Sequence, residues 1–281
     1  MKPLQNIAFV INTEKSGAVG LADDLIQTAR SAGASVERTT SFPVPRGLLR
    51  GRDACCVIGG DGTLLGAAVE AARENVPIIG VNRGSLGFLT TFTPEEARDS
   101  FAAVLAGHHS VSNRTLLQCG EDPDDIALND IVIKETGSSR LISLDVFADG
   151  ERITRYGCDG LIFATPTGST AYNLSAGGPI THPGARVIIM TPICPHTLSN
   201  RTVIFEDSVE LAVTGADSEH PLSVVLDGQR TRVISPGTPL AIKLSPRKVP
   251  LVQLADHKHF GILRTKLGWS GGSADRFQRE S

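Results

Sequence analysis

The chain has 281 residues, 41% hydrophobic and 20% charged, which is enough apolar material for one large or two medium-sized domains. Its net charge of -3 provides no general positive field, which argues against nucleic acid as a partner and favours small molecules. The first apolar run, residues 7–11, is too short for a signal peptide or a membrane span. Five cysteines without a CxxC pair indicate neither a disulfide framework nor a zinc site. We therefore predict a cytoplasmic protein with reduced thiols and no membrane partner.

Strand-like and helical segments alternate in the first part of the chain. The predicted elements are a strand at 7–11, a helix at 20–32, a strand at 54–58, a helix at 63–73 and a strand at 78–81. A further helix begins near Pro94, with Thr93 as its N-cap. Strands separated by helices predict an open parallel sheet covered on both faces, so we assign residues 1–110 to an α/β domain.

Short strand-like runs dominate the chain after residue 110. They lie at 131–133, 141–147, 161–164, 187–190, 209–213, 223–226 and 240–244. Turn dipeptides such as Asp149-Gly150 and Asp227-Gly228 separate some of them. We predict a mainly β domain at 111–255 and a C-terminal segment at 256–281. The end of that segment, 270–281, is rich in Gly, Ser and charge, and we predict that it is disordered.

The most informative short motif is GGDGT, at residues 59–63, between a predicted strand and a predicted helix. Its three glycines allow close approach of a polyphosphate, and the helix start offers amide donors. Asp61 would project into the same space, where a carboxylate can accept a hydroxyl proton or help hold magnesium. A glycine-rich connector with a turn aspartate is the alternative that five residues alone leave open. We predict that Thr63 caps the helix. The predicted phosphate-binding residues are Gly59, Gly60, Gly62 and Thr63.

A second segment, DGLIFATPTGSTAYNLSAGGP at 159–179, joins a buried strand to a hydroxyl-rich loop. Six of the eleven side chains at 165–175 are Ser, Thr or Tyr, which are neutral donors and acceptors suited to ribose hydroxyls and base edges. Composition alone would favour a polar turn between strands. The length and order of the segment favour a ligand site.

Four motifs in this order resemble the NAD kinase family: GGDGT, Asn129-Asp130, the 159–179 segment and LDGQ at 226–229. The resemblance covers about residues 6–255. GGDGT is shared with lipid kinases and phosphofructokinases, whereas the long segment is highly specific. The resemblance implies an N-terminal α/β domain, a C-terminal β domain, an active site with NAD in the cleft between them, and a last segment that returns toward the first domain.

The same resemblance implies the roles of individual residues. It makes Asp61 the catalytic carboxylate, acting on the 2′-hydroxyl of the adenosine ribose of NAD, and it assigns no metal ligand to the protein. The implied NAD-binding residues are Asp61, Gly62, Phe88, Asn129, Asp130, Arg140, Asp159, Thr170, Ala171, Tyr172, Ser175 and Gln229. It also implies Mg²⁺ or another divalent cation, ATP or polyphosphate as donor, and a homo-oligomer, dimer or tetramer, in which Asp159 reaches a neighbouring subunit's ligand.

Two other interpretations remain open at this point. A lipid or diacylglycerol-type kinase shares the first motif and the two-domain plan, but it requires an apolar acceptor channel, whereas the acceptor loop here is rich in hydroxyls. A dinucleotide-binding sensor without turnover is the alternative from another functional class. An intact Asp61 argues against a sensor, and only an assay separates the two.

Overall fold

The computed structural model describes residues 1–84, 87–136, 142–197, 199–215, 221–254 and 259–269. Its first third alternates strands with helices, as predicted. The elements are β1 (Asn6–Ile11), α1 (Ala18–Ser31), β2 (Ser35–Thr39), β3 (Ala54–Gly59), α2 (Asp61–Glu74), β4 (Ile78–Asn82) and α3 (Pro94–Leu105). Thr93 caps α3 as predicted, since its side chain accepts from the Glu96 amide at 3.1 Å.

The four strands of this part run parallel, in the spatial order β2, β1, β3, β4. Helices cover both faces of the sheet, so β3 is buried along its whole length. Phe9 faces α1 and α3 and lies 6.0 Å from the Phe101 ring, while Val57 on the other face packs in one cluster with Leu64 of α2. The open α/β arrangement is confirmed.

The rest of the chain is mainly β, as predicted. Its elements are β5 (Ser110–Cys119), β6 (Ile126–Ala127), β7 (Asp130–Glu135), β8 (Ile142–Ala148), β9 (Glu151–Cys158), β10 (Gly160–Ala164), α4 (Tyr172–Ser175), β11 (Val187–Ile193), β12 (Val203–Glu206), β13 (Leu211–Gly215), β14 (Leu222–Leu226), β15 (Arg230–Ile234), β16 (Leu240–Gln253) and α5 (His259–Leu267). An antiparallel sheet within the described residues has the order β12, β11, β10, β7, β14, β15.

Strand β10 shows why strands in the β-rich part of the chain have continuous apolar sequences. Leu161 and Phe163 point into the large core that lies between the two sheets, and Ile162 and Ala164 point into a smaller cluster on the opposite face. Ala176, just after α4, packs on that smaller cluster. Because both faces of β10 are covered, its apolar residues do not alternate with polar ones. The contact of Ala176 holds the loop after β10 against the sheet.

One strand joins the two parts of the chain. β16 is 14 residues long and pairs in parallel with β4, through Leu251 and Ile78, and antiparallel with β5 and β13. The first sheet thereby continues through β16 and β13 to β8 and β9 and has ten strands within the described residues. The division of the sequence at residue 110 stays a prediction, since this sheet contains strands from both sides of it.

Among the described residues, none of the helices combines the length and apolar character needed to cross a bilayer. All five cysteine thiols are free, four of them buried and Cys194 exposed. Burial raises the pKa of Cys55 to about 12 and that of Cys158 to about 11, which leaves these thiols protonated and poorly nucleophilic at neutral pH. The predicted disorder at 270–281 falls outside the described residues.

Candidate active site

A first cavity, of about 650 Å³, lies where three parallel strands end. Ile11 ends β1, Gly60 follows β3 and Asn82 ends β4, so the carboxyl ends of these strands form one wall, the usual ligand position in an open α/β sheet. Five predicted site residues line this cavity: Gly60, Asp61, Gly62, Thr63 and Gln229. Its charged lining residues are Glu14, Lys15, Asp61, Arg83 and Lys266.

Asp61 is the first residue of α2, and its carboxylate is held by the segment that follows β4. Oδ2 accepts from the Phe88 amide at 2.8 Å. Oδ1 accepts from the amides of Leu89 and Thr90, at 3.2 and 2.9 Å, and from the Thr90 hydroxyl at 2.9 Å. A Cβ on Gly87 would lie 2.0 Å from Oδ1, so this close approach requires glycine at position 87. Four donors therefore fix the orientation of the carboxylate.

The GGDGT turn differs from the prediction at Thr63. Helix α2 begins two residues earlier than predicted because Gly60, with an extended backbone, is the N-cap. Thr63 is therefore not the cap. It is buried in the third helical position, where its hydroxyl accepts from the Asn12 side chain at 3.0 Å, and a Cβ on Gly59 would meet its side chain at 2.4 Å. Gly60 and Gly62, by contrast, have open space where their Cβ atoms would be, which suits close approach of a ligand.

A second cavity, of about 540 Å³, lies on the antiparallel sheet. Five of the predicted site residues line it: Asn129, Asp130, Asp159, Ala171 and Tyr172. Asp227 and Gly228 line it too, whereas the next residue, Gln229, lines the first cavity. The turn between β14 and β15 thus contributes to both cavities.

This turn is the predicted Asp-Gly turn, and it carries a residue whose role the sequence analysis missed. Asp227 and Gly228 have φ values of 52° and 66°, and the Gln229 amide donates to the Leu226 carbonyl at 3.0 Å, as in a type I′ hairpin turn. The Asp227 carboxylate accepts the three consecutive amides of residues 128–130, at 2.9, 2.6 and 3.2 Å. It therefore positions Asn129 and Asp130. The Asp-Gly pair is the sequence feature from which this positioning role of Asp227 could have been predicted.

Gln229 fixes the β14–β15 turn against the wall of the first cavity. Its side-chain amide donates to the Gly62 carbonyl at 2.7 Å, which ties the β14–β15 turn to the start of α2. The Asn129 side chain, in contrast, has no hydrogen-bond partner within the described part of the chain. Its amide is therefore available to a ligand in the second cavity.

Asp130 is buried, with 5% of its surface exposed. Burial and the neighbouring Asp227 carboxylate raise the pKa of Asp130 to about 7, against the opposing effect of the Tyr172 amide that donates to it. In the folded protein the Asp130 carboxyl stays protonated between about pH 4 and 7, whereas in the unfolded chain it ionises over that range. The contribution of Asp130 to the free energy of unfolding therefore falls as the pH rises through that window.

We expect Asp130→Asn to remove this dependence. The unfolding free energy of the wild type, relative to the variant, should fall as the pH rises from about 4 to about 7, by about 1.4 kcal/mol per pKa unit at most. Urea unfolding of both proteins at several pH values measures the difference. Parallel pH profiles for the two proteins would contradict the assignment of the raised pKa to Asp130.

The hydroxyl-rich segment uses many of its polar groups to hold its own shape. The Thr165 hydroxyl donates to the Leu128 carbonyl at 2.6 Å, and the Ser169 hydroxyl donates to the Pro166 carbonyl at 2.7 Å. Asn173 is fully buried and donates to the carbonyls of Ser169 and Pro179, both at 3.1 Å. These three side chains therefore hold the loop together, and the binding of ribose by the segment stays a prediction. Tyr172 and Ser175 remain exposed.

Four of the remaining predicted residues are described by the structure, and they lie outside the lining of both cavities. Gly59 packs against Thr63, and the Thr170 hydroxyl donates to the Thr167 carbonyl at 3.3 Å. Ser175 ends α4. Phe88 acts through its backbone, which donates to Asp61. The fifth, Arg140, falls in 137–141, outside the described residues.

Comparison with known proteins identifies relatives over most of the chain. The ATP-NAD kinase N-terminal domain model matches residues 44–109, and the C-terminal domain model matches residues 128–254. The NAD kinase of Pseudomonas savastanoi pv. phaseolicola is 45% identical over 233 residues, 79% of each chain. A NAD kinase of Pseudomonas putida is 43% identical over 235 residues, 79% of this chain and 78% of the relative.

Two solved structures share the fold. An NAD kinase from Archaeoglobus fulgidus in complex with ATP has a TM-score of 0.79 and 27% identity, covering 95% of this chain and 100% of that one. Yeast NADH kinase complexed with NADH has a TM-score of 0.82 and 26% identity, covering 97% of this chain and 90% of that one.

Proposed function

Because the chain belongs to the NAD kinase family, we propose that it transfers the terminal phosphoryl group of ATP, or of another donor, to the 2′-hydroxyl of the adenosine ribose of NAD, giving NADP. The observation that carries this proposal is the Asp61 carboxylate, held by four donors beside the first cavity. The turn at 227–229 links that cavity to the second one. In this proposal the two cavities hold the donor and the acceptor, and Asp61 lies on the lining of the first.

Asp61 would act on the acceptor hydroxyl. Its Oδ1 accepts three hydrogen bonds and its Oδ2 accepts one, which leaves acceptor capacity on Oδ2 for a hydroxyl proton. As the hydroxyl oxygen attacks the terminal phosphorus, a carboxylate in this position takes up the proton. Phosphoryl transfer depends mainly on positioning and charge stabilisation, so this mechanism uses no covalent protein intermediate.

The first cavity would hold the donor phosphates. The amides at the start of α2 and the open space beside Gly60 and Gly62 suit phosphate oxygens. Because Asp61 is assigned to the hydroxyl proton, Glu14 is the carboxylate of this cavity that would help hold a divalent cation such as Mg²⁺, which proteins commonly bind through one or two carboxylates plus the substrate's phosphates. Such a cation would supply charge neutralisation on the donor phosphates. Within the described residues, no group of three or more His, Cys, Asp or Glu side chains forms a protein-only metal site.

We expect Asn129→Ala to weaken NAD binding more than it slows turnover. The variant removes an amide that is free to pair with ligand, at a cost of about 1 to 3 kcal/mol, which corresponds to about 5- to 150-fold in Kd. Calorimetric titration with NAD and steady-state rates at saturating NAD separate the two effects. Asn113→Ala, on exposed β5 surface, is the control and should match the wild type. A fall in kcat with unchanged NAD affinity would contradict this role.

The decisive experiment incubates purified protein with magnesium, ATP and NAD and follows NADP with a coupled assay. Diacylglycerol is offered in parallel as the acceptor of the alternative kinase class. Polar groups such as Asn129, Asp130 and Asp159 around the second cavity favour a dinucleotide over a lipid. Phosphorylation of diacylglycerol without NADP would overturn the proposal, and NAD binding without NADP formation would identify a sensor.

Two further features belong to this proposal. We propose that the enzyme works in the cytoplasm and as a homo-oligomer in which Asp159, on the rim of the second cavity, reaches a neighbouring subunit's ligand. Light scattering at assay concentrations tests the second point, because a fully active monomer would exclude it. ATP rather than polyphosphate is the donor we propose, since a nucleotide complex is known for a protein of the same fold.

A further inference from the structure

Helix α5 brings a lysine from the C-terminal part of the chain to the first cavity. Leu263, 2% exposed, anchors the helix. At its start, the rings of His259 and Phe260 lie 5.3 and 5.9 Å from the ring of His182, in the loop after α4. Lys266, in the last turn, lines the cavity, so packing of the helix determines where the amine can reach.

The amine of Lys266 lies close to the residues that hold Asp61. Its Nζ is 5.9 Å from the centroid of the Phe88 ring, and the Phe88 amide donates to Asp61 Oδ2 at 2.8 Å. Among the described residues, no carboxylate forms an ion pair with Lys266. A cation that lines a ligand-sized cavity and has no ion-pair partner among the described residues is suited to an anionic ligand.

The other cations of the cavity are placed differently. Arg83 is committed to the chain itself, since its guanidinium donates to the Ser16 carbonyl, at 3.0 Å from Nε. Lys15 lines the cavity from the loop after β1. Lys266 is the cation that contacts Phe88 and is thereby linked to Asp61.

We propose that Lys266 binds the terminal phosphate of the donor and stabilises the charge on the phosphoryl group during transfer; this rests on the function proposed above. In that transfer the bond between the terminal phosphorus and its bridging oxygen breaks, and a bond from the ribose 2′-oxygen to that phosphorus forms. The hydroxyl proton passes to Asp61, and the leaving phosphate keeps the electron pair of the broken bond. Lys266 donates N–H bonds to phosphate oxygens and takes no part in the proton transfer.

The test compares Lys266→Met, which keeps the length of the side chain and removes its charge, with Lys266→Arg, which keeps the charge. Arg264→Met is the matched control, because Arg264 is exposed on the same helix and does not line the cavity. We expect Lys266→Met to lower kcat/KM for ATP by about 10- to 100-fold, from the loss of a charge-assisted contact. Lys266→Arg should recover part of that loss, and NAD affinity measured by calorimetry should stay at the wild-type value in all three variants.

Inorganic tripolyphosphate provides a second measurement, because it presents phosphates without a nucleoside. Its inhibition constant against ATP should rise in Lys266→Met and not in Arg264→Met. Wild-type kinetics and wild-type inhibition in Lys266→Met would overturn the inference while leaving NADP formation established. An equal loss of ATP and NAD binding, with a lowered melting temperature, would also overturn it, since that pattern identifies a packing role on Phe88. Absence of NADP formation by the wild type would instead refute the proposed function.

Discussion

Asp61→Asn is expected to lower the catalytic constant for NADP formation by about 10² to 10⁴ and to leave NAD binding nearly unchanged. The variant keeps the shape of the side chain and removes the negative oxygen that would take up the hydroxyl proton. The amides that donate to the Asp61 side chain add to the expected loss of activity. An amide accepts through one oxygen only, so its NH₂ group would face the amide of either Phe88 or Thr90, which now donate to the two carboxylate oxygens.

Thr90→Val is the control that separates proton transfer from anchoring. It removes the hydroxyl that donates to Asp61 Oδ1 and keeps the carboxylate itself. Steady-state rates at saturating NAD, together with calorimetric NAD affinities, should show a much smaller loss for Thr90→Val than for Asp61→Asn. If Asp61→Asn turned over at the wild-type rate once NAD was saturating, Asp61 would not be the catalytic carboxylate.

Gly87→Ala is expected to produce the second large effect without replacing a catalytic residue. The new methyl would lie 2.0 Å from Asp61 Oδ1 and 2.4 Å from the Thr90 hydroxyl, so the anchoring segment or the carboxylate must move. Displacement of a catalytic group by about 1 Å can cost about 10² in rate, and we expect a loss of that order in kcat.

Gly20→Ala is the matched glycine control, because the Cβ position of Gly20 in α1 has no neighbour within 4 Å. It should retain wild-type kinetics and unfold at the same temperature or slightly higher, since alanine favours helix over glycine. Wild-type kcat in a folded Gly87→Ala protein would mean that the contacts from residues 87–90 to Asp61 do not matter for catalysis.

The elements that were predicted well are those whose own side chains show whether they are buried or where they begin. Strand β3 is apolar throughout because helices cover both faces, and α3 starts at Pro94 behind a capping threonine. Strands β2 and β9 were missed. Their sequences, SVERT and ERITRYGC, are charged and largely exposed, since each lies at an edge of the ten-stranded sheet and shows little apolar alternation.

The positions of site residues could be predicted where motif residues meet at strand ends. They could be predicted less well where they depend on tertiary packing. Asp61 and Asn129 lie at the two cavities, as expected of residues in motifs. The inward role of the Thr165 and Ser169 hydroxyls depends on which carbonyls the folded loop leaves unpaired, and composition does not record that. The place of Lys266 depends on how α5 packs against the loop after α4, more than 70 residues earlier in the chain, so no local pattern indicated it.

Because β16 pairs with β4, the catalytic motif cannot be isolated in a fragment that ends near residue 110, where the predicted α/β domain gives way to the predicted β domain. A fragment ending at residue 110 would retain GGDGT but lose the parallel neighbour of β4, leaving that buried strand as an open edge. Uncovered apolar edges pair with other chains, so such a fragment would be expected to self-associate rather than bind nucleotide. The smallest folding unit that contains Asp61 therefore extends at least to Gln253, the last residue of β16.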